Sequence, residues 1–138
     1  MVDDDPNALD PDVERALRAP CPQDLGWIRE RVRVETAHRC KTLGGCGDTL
    51  YALCFLLYLL GDAEDSRLIY AAKHANMDCG AIIDLGLLSM RRTLAELRAA
   101  LDPVQDAPLL RDLESLFSHQ QEELEDLESN LRGYFGLD

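Results

Sequence analysis

Eleven consecutive apolar residues, LYALCFLLYLL from Leu50 to Leu60, stand between Asp48-Thr49 and Gly61-Asp62. As a helix this run rises about 16 Å, roughly half the hydrocarbon thickness of a bilayer, so it predicts a central core helix and not a membrane span. Asp48 is placed to cap it. Upstream, LGWIRERVRVETAHRCKTLGG predicts a helix of about eighteen residues, capped by Asp24 and stopped by Gly44-Gly45. Asp10-Pro11 predicts the start of a shorter helix that runs toward Arg18 and is closed by Pro20 and Pro22.

Downstream of the apolar run, Leu68, Ala72, Ala75, Cys79 and Ile82 recur at steps of four and three. That spacing predicts one seam on a helix opening at Asp62, with Gly80 and Gly86 each costing about 1 kcal/mol relative to Ala and marking where a kink would fall. MRRTLAELRAAL predicts another helix, from Ile82 or Ser89 to Asp102-Pro103. From Asp106, the series Leu113, Leu116 or Phe117, Gln120, Leu124, Leu127 and Leu131 predicts a single amphipathic helix of about twenty-five residues. No sustained alternation and no hairpin dipeptide between β-branched runs is present. The expected fold is all-α: an antiparallel bundle of four to six helices over residues 11–138, preceded by an acidic, solvated tail over residues 1–10 that carries Asp3, Asp4, Asp5 and Pro6.

Charge narrows the choice of partners. With 26 acidic against 14 basic residues the formal charge is −12, which repels phosphate backbones and anionic lipid. Neither nucleic acid nor a membrane is expected as a partner. Among the cations only Lys41 and Lys73 are lysine, an arginine bias that points to a GC-rich bacterial genome. The opening MVDDDPNALDPD lacks a basic start followed by an apolar stretch, and the cysteine number is odd at 5, so a reducing cytoplasm is the expected setting. The charges are also segregated. Arg29, Arg31, Arg33, Arg39 and Lys41 face only Glu30 and Glu35 in one helix, while nine acids against Arg111 and Arg132 lie from residue 106 onward.

Candidate chemistry starts with DSRLIYAAKHANMDCG, residues 65–80, where Asp65, Lys73, Asn76 and Asp78 interrupt an apolar helical run and Asp84 follows. On a continuous helix Asp62, Lys73 and Asp84 would share a stripe. A lysine flanked by apolar residues is commonly a snorkelling partner of a carboxylate; a desolvated one can instead be a nucleophile or a fixed charge for an anionic ligand. Gly61, Asp65, Leu68-Ile69, Ala72-Lys73, Asp78, Asp84 and Leu87-Leu88 form a G-x-x-x-D…A-K-x-x-x-x-D…LL pattern. It resembles that of an uncharacterised bacterial all-helical family, from which this chain differs in having Tyr70 at a Trp position and Ser89-Met90-Arg91 after the leucines. That family carries no established activity, so the resemblance implies residues to test and no function.

Other constellations are weaker. Cys54 and Cys79 read as small core side chains. Cys40 and Cys46, with His38 nearby, would make half of a metal site without a second half. His38, His74 and His119 fall on separate helices with no companion motif, and no metal or cofactor is expected. Glu122, Glu123, Glu125, Asp126 and Glu128 formally supply Glu-x-x-Glu, one half of the magnesium set in helical nucleotide pyrophosphohydrolases, but the commoner role of such a run is the polar face of an amphipathic helix.

Two functional expectations follow. The first is a non-catalytic, acidic interaction module of the immunity or inhibitor type that binds a basic protein partner, such as a toxin, through Glu122, Glu123, Glu125, Asp126 and Glu128. The alternative is a small metal-dependent hydrolase or anionic-ligand-binding bundle built on Lys73 and clustered carboxylates. The complementary basic and acidic helices would also suit a homodimer, or pair within one chain.

Overall fold

The computed structural model describes residues 9–42 and 44–137, which form eight α-helices and three short 3-10 turns without a strand. The protein is an all-α bundle. Asp3, Asp4, Asp5 and Pro6 of the expected tail lie outside the described residues. Leu9 and Asp10, assigned above to that tail, are docked: Leu9 packs on the core, and Asp10 both caps the first helix through Asp12 N and pairs with Arg31 at 3.2 Å.

The apolar run becomes α3 (Asp48–Leu60), in which every side chain from Leu50 to Tyr58 is buried. A helix apolar on all sides needs cover on all sides. It comes from α1 (Pro11–Arg18), α2 (Leu25–Cys40), α4 (Ser66–Lys73) and the turn Leu85–Ser89. The end of the chain closes the remaining side: Tyr51 meets Tyr134 and Phe135, and Phe55 stacks on Phe135. Each fully buried Leu or Phe here contributes about 1.5–3 kcal/mol. No described helix is long and apolar enough to cross a membrane.

Two expected caps are otherwise employed. Asp24 makes no cap bond and instead accepts the Trp27 indole N–H at 3.0 Å. Asp48 is the first residue of α3, behind Gly47 at φ +79, and accepts the Tyr134 hydroxyl at 2.9 Å.

Both long helices of the expectation are divided. The seam through Leu68 and Ile82 is not continuous, because Asn76 is extended and its side-chain oxygen accepts Cys79 N, starting a new helix, α5 (Met77–Ile82). An Asn side chain that satisfies a first-turn N–H offers the backbone an alternative to continuing the preceding helix. Across the break the phase changes: Ile69 and Ala72 are buried on α4, then Cys79 and Ile83, while Ile82 is exposed. The helix after it starts only at α6 (Leu94–Ala100). Met90 and Arg91 take left-handed backbone (φ 53 and 56), and Thr93 with Glu96 forms a capping box.

The C-terminal helix is α7 (Ala107–His119) followed by α8 (Gln121–Tyr134), separated at Gln120. Gln120 is the polar member of the seam, and bending there keeps Leu113 and Leu116 buried on α7 while Leu127 and Leu131 are buried on α8. Both helices rest on the Leu85–Ser89 turn, where a Cβ on Gly86 would stand 2.8 Å from a Leu127 methyl.

Candidate functional site

Of the polar residues singled out between 65 and 84, Asp65, Lys73, Asn76 and Asp84 bond to the backbone at a helix or turn end, and Asp78 to the loop at Gly45. Helix ends leave N–H and C=O groups without intrahelical partners, and a chain broken into short helices has many of them. Asp65 accepts Asp62 N at 2.8 Å and the Nε and Nη2 donors of Arg29 at 2.9 and 2.8 Å. Asn76 caps α5 and donates to Arg39 O, Thr42 Oγ1 and Gly45 O. Asp78 accepts Gly45 N, and Asp84 accepts Gly86 N at 2.8 Å.

Lys73 donates to Gly80 O and, at 2.7 Å, to Ile83 O, neutralising the C-terminal end of α5. Burial lowers its pKa below the ordinary 10.5, opposed by the negative charges of Asp84 and Asp112. The structure thus brings Lys73, Asn76, Asp78 and Asp84 to the two ends of one six-residue helix, and puts Asp65 with Arg29 at another corner. The stripe of Asp62, Lys73 and Asp84 does not exist, because the helix that would carry it is broken. Two of the three ammonium donors of Lys73 are taken up by the Gly80 and Ile83 carbonyls.

Lys73→Met is therefore expected to cost about 2 kcal/mol, because two carbonyls lose a charged donor. The pH dependence has a definite sign. A lowered folded-state pKa means that the unfolded chain holds more protons between that value and 10.5, so this residue makes stability rise with pH across the interval. Urea unfolding of wild type and Lys73→Met between pH 7 and 10 should show the gap widening as pH rises.

The acids of α8 have a different setting. Glu122, Glu123, Glu125 and Asp126 are exposed and make no ion pair among the described residues, while Glu128 pairs with Arg91 at 3.7 Å. Glu122 and Glu123 occupy the first turn, where the helix dipole favours negative charge. Of the two pairings expected for the basic and acidic helices, within one chain or between two, no ion pair of α8 with α2 forms within the chain among the described residues. Arg29 pairs with Asp62 and Asp65, Arg31 with Asp10 and Glu35, and Arg33 with Glu30.

Among the described residues no group of three or more His, Cys, Asp or Glu side chains is placed to hold a metal ion. His38, His74 and His119 are exposed on α2, behind α4 and on α7, and Cys40 is exposed whereas Cys46 is buried. Sequence reading missed that the loop of Cys46 packs on the turn that carries Cys79, 33 positions away, through the Gly45 contacts of Asn76 and Asp78. It also missed the partners of Asp62, which lies between Arg29 at 3.3 Å and Arg92 at 3.7 Å. The one readable signal for this region was Asn76 as an N-cap followed by Asp78 in the first turn.

The surface clefts include one of about 400 Å³ between α6 and α7, lined by Arg98, Leu110, Arg111 and Glu114, and one of about 310 Å³ at Arg29, Arg33, Asp62, Glu64 and Asp65. Comparison of the chain with protein-family models, curated proteins and solved structures finds no match.

Proposed function

We propose that the chain is a non-catalytic acidic interaction module, of the immunity or inhibitor type, that binds a basic protein partner through the outward face of α8. One observation carries this reading: Glu122, Glu123, Glu125 and Asp126 crowd two helical turns, exposed and without an ion-pair partner among the described residues, while Arg29, Arg31 and Arg33 of the basic helix are engaged by other acids. Like charges held so close repel one another. A complementary cationic surface would relieve that repulsion, and the field of the whole −12 chain would speed its approach.

The fold does not depend on these four side chains. Leu127 and Leu131 on the opposite side anchor the helix, so charge can be reversed on the outer face at about 0.3–1 kcal/mol per first-turn residue. A bacterial cytoplasm suits the proposal, given the arginine bias and five free cysteines.

The test compares tagged wild type with the triple variant Glu122→Lys, Glu123→Lys, Glu125→Lys in pull-downs from lysate of the source cells. Wild type is expected to retain a basic protein at near 1:1 stoichiometry, to release it as salt rises from about 0.05 to 0.3 M, and to lose at least tenfold of it in the variant. Identical retention by both chains, or no basic protein with either, would sink the proposal.

A further inference from the structure

Three glycines surround Cys46. In the loop between α2 and α3, Gly45 and Gly47 have φ of +85 and +79, and a Cβ on Gly44 would stand 2.8 Å from the Asp78 carboxylate. The loop therefore lies directly on the first turn of α5. Asp78 accepts Gly45 N, and Asn76 donates to Gly45 O at 3.0 Å while accepting Cys79 N. Cys46 and Cys79, the residues next to these contacts, are 2 % and 0 % exposed and belong to the same buried cluster. Arg39 reaches the same corner: its Nη1 lies 3.3 Å from the Cβ position of Gly45, its buried Nε has no hydrogen-bond partner among the described residues, and its charge favours a Cys46 thiolate.

We propose that Cys46 and Cys79 are a redox pair that closes to an intramolecular disulfide, tying the α2–α3 loop to α5. Two thiols carried on segments that are hydrogen-bonded to each other, with a cation alongside, are placed for a bond between them. The oxidant is a low-molecular-weight disulfide. Cys46 sits on the glycine loop and lifts first; its thiolate, having lost its proton to solvent, attacks one sulfur of the small disulfide and expels the other half as a thiolate. Cys79 then loses its proton, attacks Sγ of Cys46 and expels the second half. The two protein thiols give up two protons and two electrons, and the small disulfide is reduced to two thiols.

While the loop is closed, burial pushes the Cys46 thiol up to about 12 and keeps it 2 % exposed, so opening of the loop is what presents it to the oxidant. The contacts of Asn76 and Asp78 thus set the rate. Asp78→Ala, which releases Gly45 N, is expected to speed oxidation about tenfold, the factor that corresponds to one weakened hydrogen bond of about 1.4 kcal/mol.

The test incubates the reduced chain with glutathione disulfide, quenches with acid, alkylates the remaining thiols and maps peptides. The expected product is lighter by two hydrogen atoms, links Cys46 to Cys79, leaves Cys21, Cys40 and Cys54 alkylatable, melts about 10 °C higher and reverts with dithiothreitol. Cys46→Ser and Cys79→Ser each lose the linkage, while Cys54→Ala keeps it. The wild-type map decides even where a serine variant folds poorly. Linkage through Cys21, Cys40 or Cys54, glutathione left on Cys46 without closure, or full alkylation of both thiols after prolonged oxidation would each overturn the proposal.

Discussion

Asp65→Ala is expected to lower the free energy of unfolding by about 3 kcal/mol, the larger share of it from one ion pair. Asp65 is buried at 6 % exposure, and its two oxygens receive three hydrogen bonds: Nε of Arg29 at 2.9 Å, Nη2 of Arg29 at 2.8 Å and the backbone N–H of Asp62 at 2.8 Å. Alanine removes all three. The Arg29 guanidinium keeps Asp62 at 3.3 Å, but that carboxylate is largely solvated and holds only one nitrogen. Breaking a fully buried pair costs about 3–5 kcal/mol; because the Arg29 side chain retains 31 % of its exposure, water replaces part of the loss and the lower end applies. Asp65→Asn keeps an acceptor for Asp62 N and should lose about half as much. Urea denaturation followed by circular dichroism measures both; a loss below about 0.5 kcal/mol for the alanine variant would show that this corner does not hold α2 to α4.

Gly61→Ala is expected to cost about as much, for a steric reason. Gly61 ends α3 with φ −83 and ψ 178, a conformation open to alanine, so torsion is not the obstacle. The added methyl would stand 2.6 Å from Oδ2 of Asp65, 2.7 Å from Leu57 O and 3.0 Å from Cε of Met90. Met90 can move. Leu57 O cannot, since it accepts Gly61 N at 2.7 Å, and Asp65 is held by Arg29. Forcing a methyl into such a site costs about 1–3 kcal/mol, and two unyielding neighbours put this case at the upper end. The two predictions are coupled. In an Asp65→Ala background the Gly61→Ala penalty should fall by about 1 kcal/mol without vanishing, because the Leu57 contact remains. Strictly additive losses would mean that the Gly61–Asp65 approach is not what makes glycine necessary.

This pair shows what a sequence pattern conveys. Gly61-x-x-x-Asp65 stands out when the chain is read, yet its meaning, a carboxylate lodged where a Cβ would be, exists only once Arg29 has arrived from another helix. The all-α class and the central helix were legible because apolar periodicity is local information. So was the Asp10-Pro11 start, where a cap and a helix-tolerant proline sit side by side. The break at Asn76 was not, since Leu68, Ala72, Ala75 and Cys79 keep helical spacing across it and spacing does not register a change of phase. The same blindness joined α7 to α8 across Gln120. Polar residues in the 65–84 stretch looked like the makings of a site because the helix was read as continuous. With the helix broken, Asn76 and Lys73 satisfy the ends of α5, while Asp65, Asp78 and Asp84 hold the turns and the loop beside it. Cys46 was matched to its sequence neighbour Cys40, although the loop carries it to Cys79. The α8 acids were legible as a face, since Leu124, Leu127 and Leu131 fix which side is turned inward.

The proposed seat of a basic partner is the outward face of α8. Hydrogen–deuterium exchange of the protein alone and in complex with its captured partner is the decisive measurement. Added protection is expected in peptides covering Gln121–Tyr134, lost when Glu122, Glu123 and Glu125 are reversed to lysine. Protection confined to the Arg98–Arg111 cleft or to α2, with α8 exchanging as in the free protein, would contradict it.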